Sequence, residues 1–125
     1  YIDRKQGAVI GNYSMKAKEM KTDYVRPQEC GSRCGVRYLN ISDGEKTVHV
    51  ASDEHFEFSL LPNTVEEYQS AKHIHELPQK ESVALVLRSK QIGVGGDVPG
   101  VAQLLEKYTM PKGEVYKFDF VFSKV

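Results

Sequence analysis

The segment 26–37, RPQECGSRCGVR, concentrates the residue types that could do chemistry in this chain. Cys30 and Cys34 lie four positions apart among three arginines, with glycines beside them. A structural zinc site needs about four ligands, and this pair supplies two. The remaining ligands would have to be histidines, of which His73 and His75 form the best-placed pair. A thioredoxin-like motif is one residue shorter, and a disulfide closing so short a loop is possible but unusual. Two free thiols in a loop are the favoured interpretation.

The other chemical patterns in the chain are incomplete. The run QIGVGGDVPG at 91–100 supplies two glycines of a dinucleotide fingerprint, but Val98 occupies the third position and Pro99 prevents a helix from starting there. The chain has no G-x-S-x-G serine elbow, and its carboxylates form no pair typical of a glycosidase. Judged from its residues alone, this is a β-domain without a complete catalytic apparatus.

Composition narrows the function further. The chain has 17 Lys and Arg against 17 Asp and Glu, and this zero net charge argues against nucleic acid or an anionic membrane as a partner. No apolar run is long enough to cross a bilayer. Its 125 residues predict a single domain, 1–125, and the absence of an initiator Met suggests a piece of a longer chain. The sequence leaves the compartment open between cytoplasm and periplasm.

Alternation of apolar and polar residues predicts an all-β fold, an antiparallel β-sandwich or a piece of one, with one short helix. The Asp43-Gly44 turn joins two strands into a hairpin, and Thr64 with Glu67 forms the capping box of the helix, which Pro78 closes off. The predicted strands are 7–13, 36–41, 46–52, 56–60, 83–87 and 115–122.

Three of these elements carry specific burial predictions. In the first strand of the hairpin, Val36, Tyr38 and Asn40 are predicted to share a face. The run VALVL at 83–87 is apolar enough to be buried on both faces. The last strand is expected to place Tyr116, Phe118, Phe120 and Phe122 in the core.

The order of motifs resembles the C-terminal, small-chain domain (domain 5) of the large β-galactosidases of glycoside hydrolase family 2. That family has YPDRK, RPQENG-R-x-x-x-R, H-x-HEL, GGDDSWG and an aromatic terminal strand. The matching segments here are YIDRK at 1–5, YVRPQECGSRCGVRYL at 24–39, SAKHIHEL at 70–77, QIGVGGD at 91–97 and the strand 115–122. The resemblance implies the C-terminal part of a galactose-mutarotase-like β-supersandwich.

The resemblance also implies a function for the opening segment. The parent enzyme would hydrolyse terminal β-galactosides with retention, through two glutamates on a TIM barrel that this chain lacks, so no catalytic residue is expected here. The family's RPQENG loop lies at the rim of the galactose pocket. Carried over by position, the substrate-rim candidates are Gln28, Glu29, Arg33 and Asp97, with Pro27 and Gly31 in the same motif. Because the loop has few large side chains, Glu29 and Arg33 are expected to be mobile and solvent-accessible.

Two departures from the family pattern bear on the substrate. Cys30 replaces the family's Asn, and GGDVPGV at 95–101 replaces GGDDSWG, so the tryptophan that forms an apolar platform for the sugar is missing. The parent enzyme is therefore expected to differ from a lactose-specific one.

The resemblance implies no cofactor in this chain, and magnesium and sodium in the parent enzyme. The implied partners are a β-galactoside, the TIM-barrel domain of the same chain and further subunits of a homo-oligomer, with no nucleic acid and no membrane. The alternative function is a stand-alone carbohydrate-binding or mutarotase-like module.

Overall fold

The computed structural model describes residues 9–92 and 104–125, which form one antiparallel sheet and one α-helix. The all-β prediction with one short helix is confirmed. The strands are β1, Arg33–Ser42; β2, Thr47–Leu61; β3, Ala84–Arg88; and β4, Val121–Lys124. The helix α1 spans Val65–Ser70, and single 3-10 turns occur at Ala17–Glu19, Ile74–Glu76 and Glu106–Tyr108.

β2 is the central strand of this sheet. β1 pairs along one of its edges, while β4 and β3 follow one another along the opposite edge, β4 at 48–51 and β3 at 57–61. The end of β3 and the start of β1 therefore lie on either side of the same stretch of β2. This arrangement brings the loop before β1 close to the segment after β3.

The hairpin between β1 and β2 forms as the sequence predicts. Asp43 Oδ1 accepts hydrogen bonds from the backbone N–H groups of Glu45 at 2.9 Å and Lys46 at 2.7 Å, and Gly44 has a φ of 98°. These hydrogen bonds to the charged form lower the pKa of Asp43. The turn is thus specified by local chemistry.

The two strands predicted at 46–52 and 56–60 are one strand in the structure. Between Val36 and Tyr38, β1 advances by two residues while its partner position on β2 moves by five, from 56 to 51. The four residues of β2 between these two pairs are the polar run 52–55, which lies opposite the single residue Arg37 and forms a bulge. That run interrupts the alternation in the sequence but does not end the strand.

The predicted faces of β1 are wrong for the same reason. Val36, Leu39 and Ile41 all pack against the core, whereas Tyr38 is 50% exposed. A further irregularity precedes them, where Gly35 adopts a φ of 65° in a stretch of β1 that has one residue more than its partner. Bulges change which side chains share a face, and strict alternation cannot reveal them.

Met20, Phe56, Phe58 and Leu60 form the main cluster of the core, and Val50 and Leu61 of β2 are also buried. Phe120 packs edge-on against Phe56, with ring centroids 5.5 Å apart.

The prediction that the closing aromatics form a core face is wrong for most of them. Regular pairing with β2 begins only at Val121. Of the four aromatics only Phe120 reaches the core, although it precedes this pairing. Phe118, Phe122 and Tyr116 remain 55%, 57% and 38% exposed.

The helix begins where the capping box places it. Thr64 accepts a hydrogen bond from the backbone of Glu67, and the Glu67 carboxylate accepts one from the backbone of Thr64. Tyr68 is the buried residue of the helix, which ends at Ser70.

The remaining strand predictions are partly corrected. Residues 9–13 form no strand, and residues 7–8 lie outside the described part of the chain. β3 is half-buried throughout instead of fully buried on both faces, because it is flanked by β2 on one edge only among the described residues. No helix within 9–92 or 104–125 is long and apolar enough to cross a membrane.

Candidate functional site

The loop 26–32 leads directly into β1 and packs against the segment 15–22. Pro27 is buried, and Gly31 has a φ of 70°, a conformation that favours glycine. A Cβ atom at Gly31 would lie 2.3 Å from the carbonyl oxygen of Met20. The path of the loop is therefore set by a close approach of two backbone segments.

A three-residue network anchors the loop to the sheet. Glu29 forms an ion pair with Arg88, the last residue of β3, and accepts a hydrogen bond from Ser59 Oγ of β2 at 2.9 Å. Arg88 Nη1 donates to the same Ser59 Oγ at 3.2 Å. Burial lowers the pKa of Arg88, but a guanidinium stays charged in proteins. The network joins the loop to two strands at once.

Arg33 turns back onto its own loop. Its Nη1 donates to the carbonyl oxygen of Gly31 at 2.7 Å, and its Nη2 lies 3.4 Å from the sulfur of Met15. Arg33 was expected to be solvent-accessible, and with these contacts the residue is half-buried. Glu29 retains about a third of its side-chain exposure, 32%, despite its two partners.

The two cysteines have separate environments and are both free thiols. Cys30 Sγ accepts a hydrogen bond from the backbone N–H of Thr22 at 3.2 Å, which helps to pin the loop to the preceding segment. Cys34 keeps some solvent exposure, but partial burial raises the pKa of its thiol, and the carboxylate of Glu57 adds to this effect. A thiol with a raised pKa is a weak nucleophile at neutral pH.

A second link joins the loop to the glycine-rich run. Gln91 Nε2 donates a hydrogen bond to Ser32 Oγ at 3.2 Å and also bonds to the carboxylate of Glu57. Gln91 is the first residue of the motif 91–97. Asp97, the remaining rim candidate, lies outside the described residues.

A groove of about 390 Å³ borders the loop. Gln28 is exposed there, and Tyr24, Tyr68 and Asn63 also line it. Its volume falls within the range of small-molecule sites, roughly 300–1,000 Å³. Of the rim candidates, the structure therefore places Gln28 beside an open groove, whereas Glu29 and Arg33 hold the loop in shape.

Sequence reasoning missed Ser59 and Arg88. Ser59 is hidden within an apolar strand, where it alternates with Phe58 and Leu60 and resembles a neutral core position. The sequence contains a weak indication of Arg88, because it directly follows the apolar run 84–87. An arginine that is buried at such a strand end needs an oppositely charged partner.

The described residues do not fit a magnesium site. Within 9–92 and 104–125, no group of three or more His, Cys, Asp or Glu side chains could hold a metal ion. His73 and His75, the pair proposed as extra zinc ligands, stack on each other with ring centroids 5.5 Å apart.

Several carboxylates accept hydrogen bonds that stabilise turns and helix ends. The pKa of Glu67 is lowered by Lys80 and by the backbone N–H of Thr64, and the pKa of Glu76 is lowered by the backbone N–H groups of Lys72 and His73. The general acid of a glycosidase requires the opposite change, a raised pKa.

Comparison with known proteins gives one consistent result. The family model described as "Beta galactosidase small chain" matches residues 1–122. A β-galactosidase from Actinobacillus pleuropneumoniae is 34% identical over 125 residues, which cover 99% of this chain and 12% of that protein. A β-galactosidase from Halalkalibacterium halodurans is 33% identical over 127 residues, covering 100% and 12%, and one from Streptococcus thermophilus is 29% identical over 125 residues, covering 98% and 12%. The chain thus spans 12% of the length of these curated relatives.

Proposed function

The chain belongs to the β-galactosidase small-chain family, and from this membership we propose that it is an accessory β-domain of a β-galactosidase-like glycoside hydrolase. It supplies the loop 26–33 to the rim of a sugar pocket, and the TIM-barrel catalytic domain lies elsewhere in the parent chain. The relatives named β-galactosidase are much longer than this chain, which leaves room for that domain.

The observation that carries the proposal is the way the loop is held. Contacts from β2, β3 and the segment 15–22 fix its backbone, while the amide of Gln28 stays exposed beside the groove. A rigid loop with one exposed amide suits recognition of sugar hydroxyls, because an amide both donates and accepts hydrogen bonds. Such a loop adds affinity without an ordering cost on binding.

An accessory role also agrees with the carboxylates. Glu29 is engaged by Arg88 and Ser59, and Glu67 and Glu76 cap backbone N–H groups. In this proposal, hydrolysis is performed by residues of the parent chain. The magnesium and sodium ions of the parent enzyme are likewise assigned to residues outside this chain, as are the contacts between its subunits.

The test uses the full-length protein that contains this chain and an aryl β-galactoside as substrate. We expect Gln28→Ala to raise KM by about threefold to tenfold, as the loss of one hydrogen bond to substrate does. Gln69→Ala is the matched control, because Gln69 is an exposed glutamine on α1. Absence of β-galactosidase activity in the wild-type protein, or equal KM values for the two variants, would contradict the proposal.

A direct binding measurement separates the alternative function. A stand-alone carbohydrate-binding or mutarotase-like module would bind galactose, or interconvert its anomers, as the 125-residue chain alone. We expect neither, and calorimetric titration with galactose together with a polarimetric mutarotation assay would detect either activity.

A further inference from the structure

We propose that Ser59 and Arg88 are positioning residues for the sugar site, which hold Glu29 by one carboxylate oxygen and leave the other to accept a hydrogen bond from a sugar hydroxyl. This inference rests on the proposed function, since it names a second group, beside the amide of Gln28, through which the rim loop contacts substrate. It concerns two residues outside the motif that identified the loop.

The Glu29 carboxylate is held through one of its two oxygens. Both contacts of this carboxylate, the hydrogen bond from Ser59 and the ion pair with Arg88, are made by Oε1. Among the described residues, no hydrogen bond is made to Oε2, and the Glu29 side chain remains 32% exposed. A carboxylate held in this way has a fixed orientation and a free acceptor of the kind that sugar hydroxyls bind.

The two side chains that hold Glu29, those of Ser59 and Arg88, are largely buried. Ser59 is 1% exposed, and its hydroxyl donates to Glu29 while accepting from Arg88. Its hydrogen-bonding capacity is thus used within the network, so removal of either partner leaves a buried polar group unpaired. The Arg88 side chain is 17% exposed, and it too would lose its compensating charge.

Arg88 lies at a strand end that contacts the loop a second time, through Gln91. It ends β3 and lies three residues before Gln91, whose side chain bonds to Ser32 of the loop. The loop is therefore tied to the same strand end at two points, on either side of Gly31. A change at Arg88 releases one of these ties and allows Glu29 to turn, without removing any residue that touches the sugar.

The experiment measures KM and kcat for an aryl β-galactoside in the full-length protein. Since positioning defects that move a binding group by about an ångström can cost up to about a hundredfold, we expect Arg88→Ala to raise KM about tenfold. We expect kcat to change by less than about twofold, because contact with the sugar is made in both ground and transition states. Arg88→Lys keeps the charge and is expected to recover part of the loss. Lys46→Ala, at the far end of the hairpin, is the control for loss of one positive charge.

A double-mutant cycle tests whether Arg88 acts through Glu29. If it does, Glu29→Gln combined with Arg88→Ala raises KM no more than the larger single change does. Monodeoxy β-galactosides identify the hydroxyl, because the substrate that lacks it should have nearly the same KM with wild-type protein and with Arg88→Ala. Additive effects in the cycle, or the same KM ratio for every deoxy substrate, would show that Arg88 does not act through Glu29.

Two outcomes separate this inference from the proposed function. If wild-type protein hydrolyses the substrate and folded Arg88→Ala retains its KM, the positioning role is refuted and the accessory function stands. If wild-type protein does not hydrolyse β-galactosides, the proposed function itself fails. Should Arg88→Ala not fold, as judged by circular dichroism, then Arg88→Lys and Ser59→Ala provide the same comparison, and unchanged KM values in both would refute the role.

Discussion

Replacement of Gly31 by alanine tests whether a backbone contact sets the path of the rim loop. Two costs are expected. An alanine at a φ of 70° is less stable there than glycine by about 1–2 kcal/mol. The new Cβ would also lie 2.3 Å from the carbonyl oxygen of Met20, about 1 Å inside normal contact, and relief of such overpacking costs about 1–3 kcal/mol. The smaller entropy of the unfolded alanine chain offsets about 0.4–1 kcal/mol. The expected net loss of unfolding free energy is about 1–5 kcal/mol, with a central value of about 3 kcal/mol.

Gly44→Ala is the matched control, because it shares the backbone cost without the contact. Gly44 has a φ of 98°, and a Cβ there would meet nothing within 4 Å. We expect Gly44→Ala to cost only about 1 kcal/mol. Equilibrium urea unfolding of the 125-residue chain, followed by tyrosine fluorescence and circular dichroism, gives both values. If the two variants differ by less than about 0.5 kcal/mol, the contact with Met20 does not set the path of the loop.

Three further predictions concern the core, the pH dependence and the activity of the chain. Phe56→Ala, at a 2% exposed position, should cost about 3–5 kcal/mol, whereas Phe118→Ala, at a 55% exposed position, should cost less than about 1 kcal/mol; equal losses in urea unfolding would contradict the assigned core. Because Lys80 and the backbone N–H of Thr64 lower the pKa of Glu67 from its ordinary 4.5, its contribution to stability should be fully present above about pH 5 and lost as the pH falls through the lowered value. Urea midpoints measured from about pH 3 to 7 should therefore fall at the acid end, and less steeply in Glu67→Gln. The purified 125-residue chain should not hydrolyse aryl β-galactosides, and turnover that disappears when one of its own carboxylates is mutated would show that the chain contains a catalytic site.

The elements predicted correctly are those whose hydrogen bonds close within a few residues. The Asp43 carboxylate reaches the N–H groups two and three residues ahead, and the Thr64–Glu67 capping box spans three residues. Such interactions depend on residue type and spacing alone. The resemblance to the small-chain family likewise depends on motifs that can be read along the chain, and the family comparison confirmed it.

The failures have a common cause in the sheet. Alternation assigned Val36 and Tyr38 to the same face of β1 and left residues 53–55 as a connection between two strands. Irregular pairing of β1 with β2 overturned both assignments. Alternation also placed Phe118 and Phe122 in the core, although burial depends on which element covers a face. Sequence periodicity predicts which side chains share a side of a regular strand. It predicts neither the register of strand pairing nor which element packs over that side.

The sequence by itself determined that the chain is an antiparallel β-domain, where its first hairpin turns, where its helix begins and which segment matches the family's RPQENG motif. Only the tertiary structure decided what holds that loop. Glu29 meets Ser59 and Arg88, which lie 30 and 59 positions later in the sequence, because β2 and β3 pair in a register that brings them side by side. The physical reason is that a turn or a helix cap is stabilised by residues a few positions away in the sequence. An ion pair between distant segments forms only after the sheet has aligned those segments.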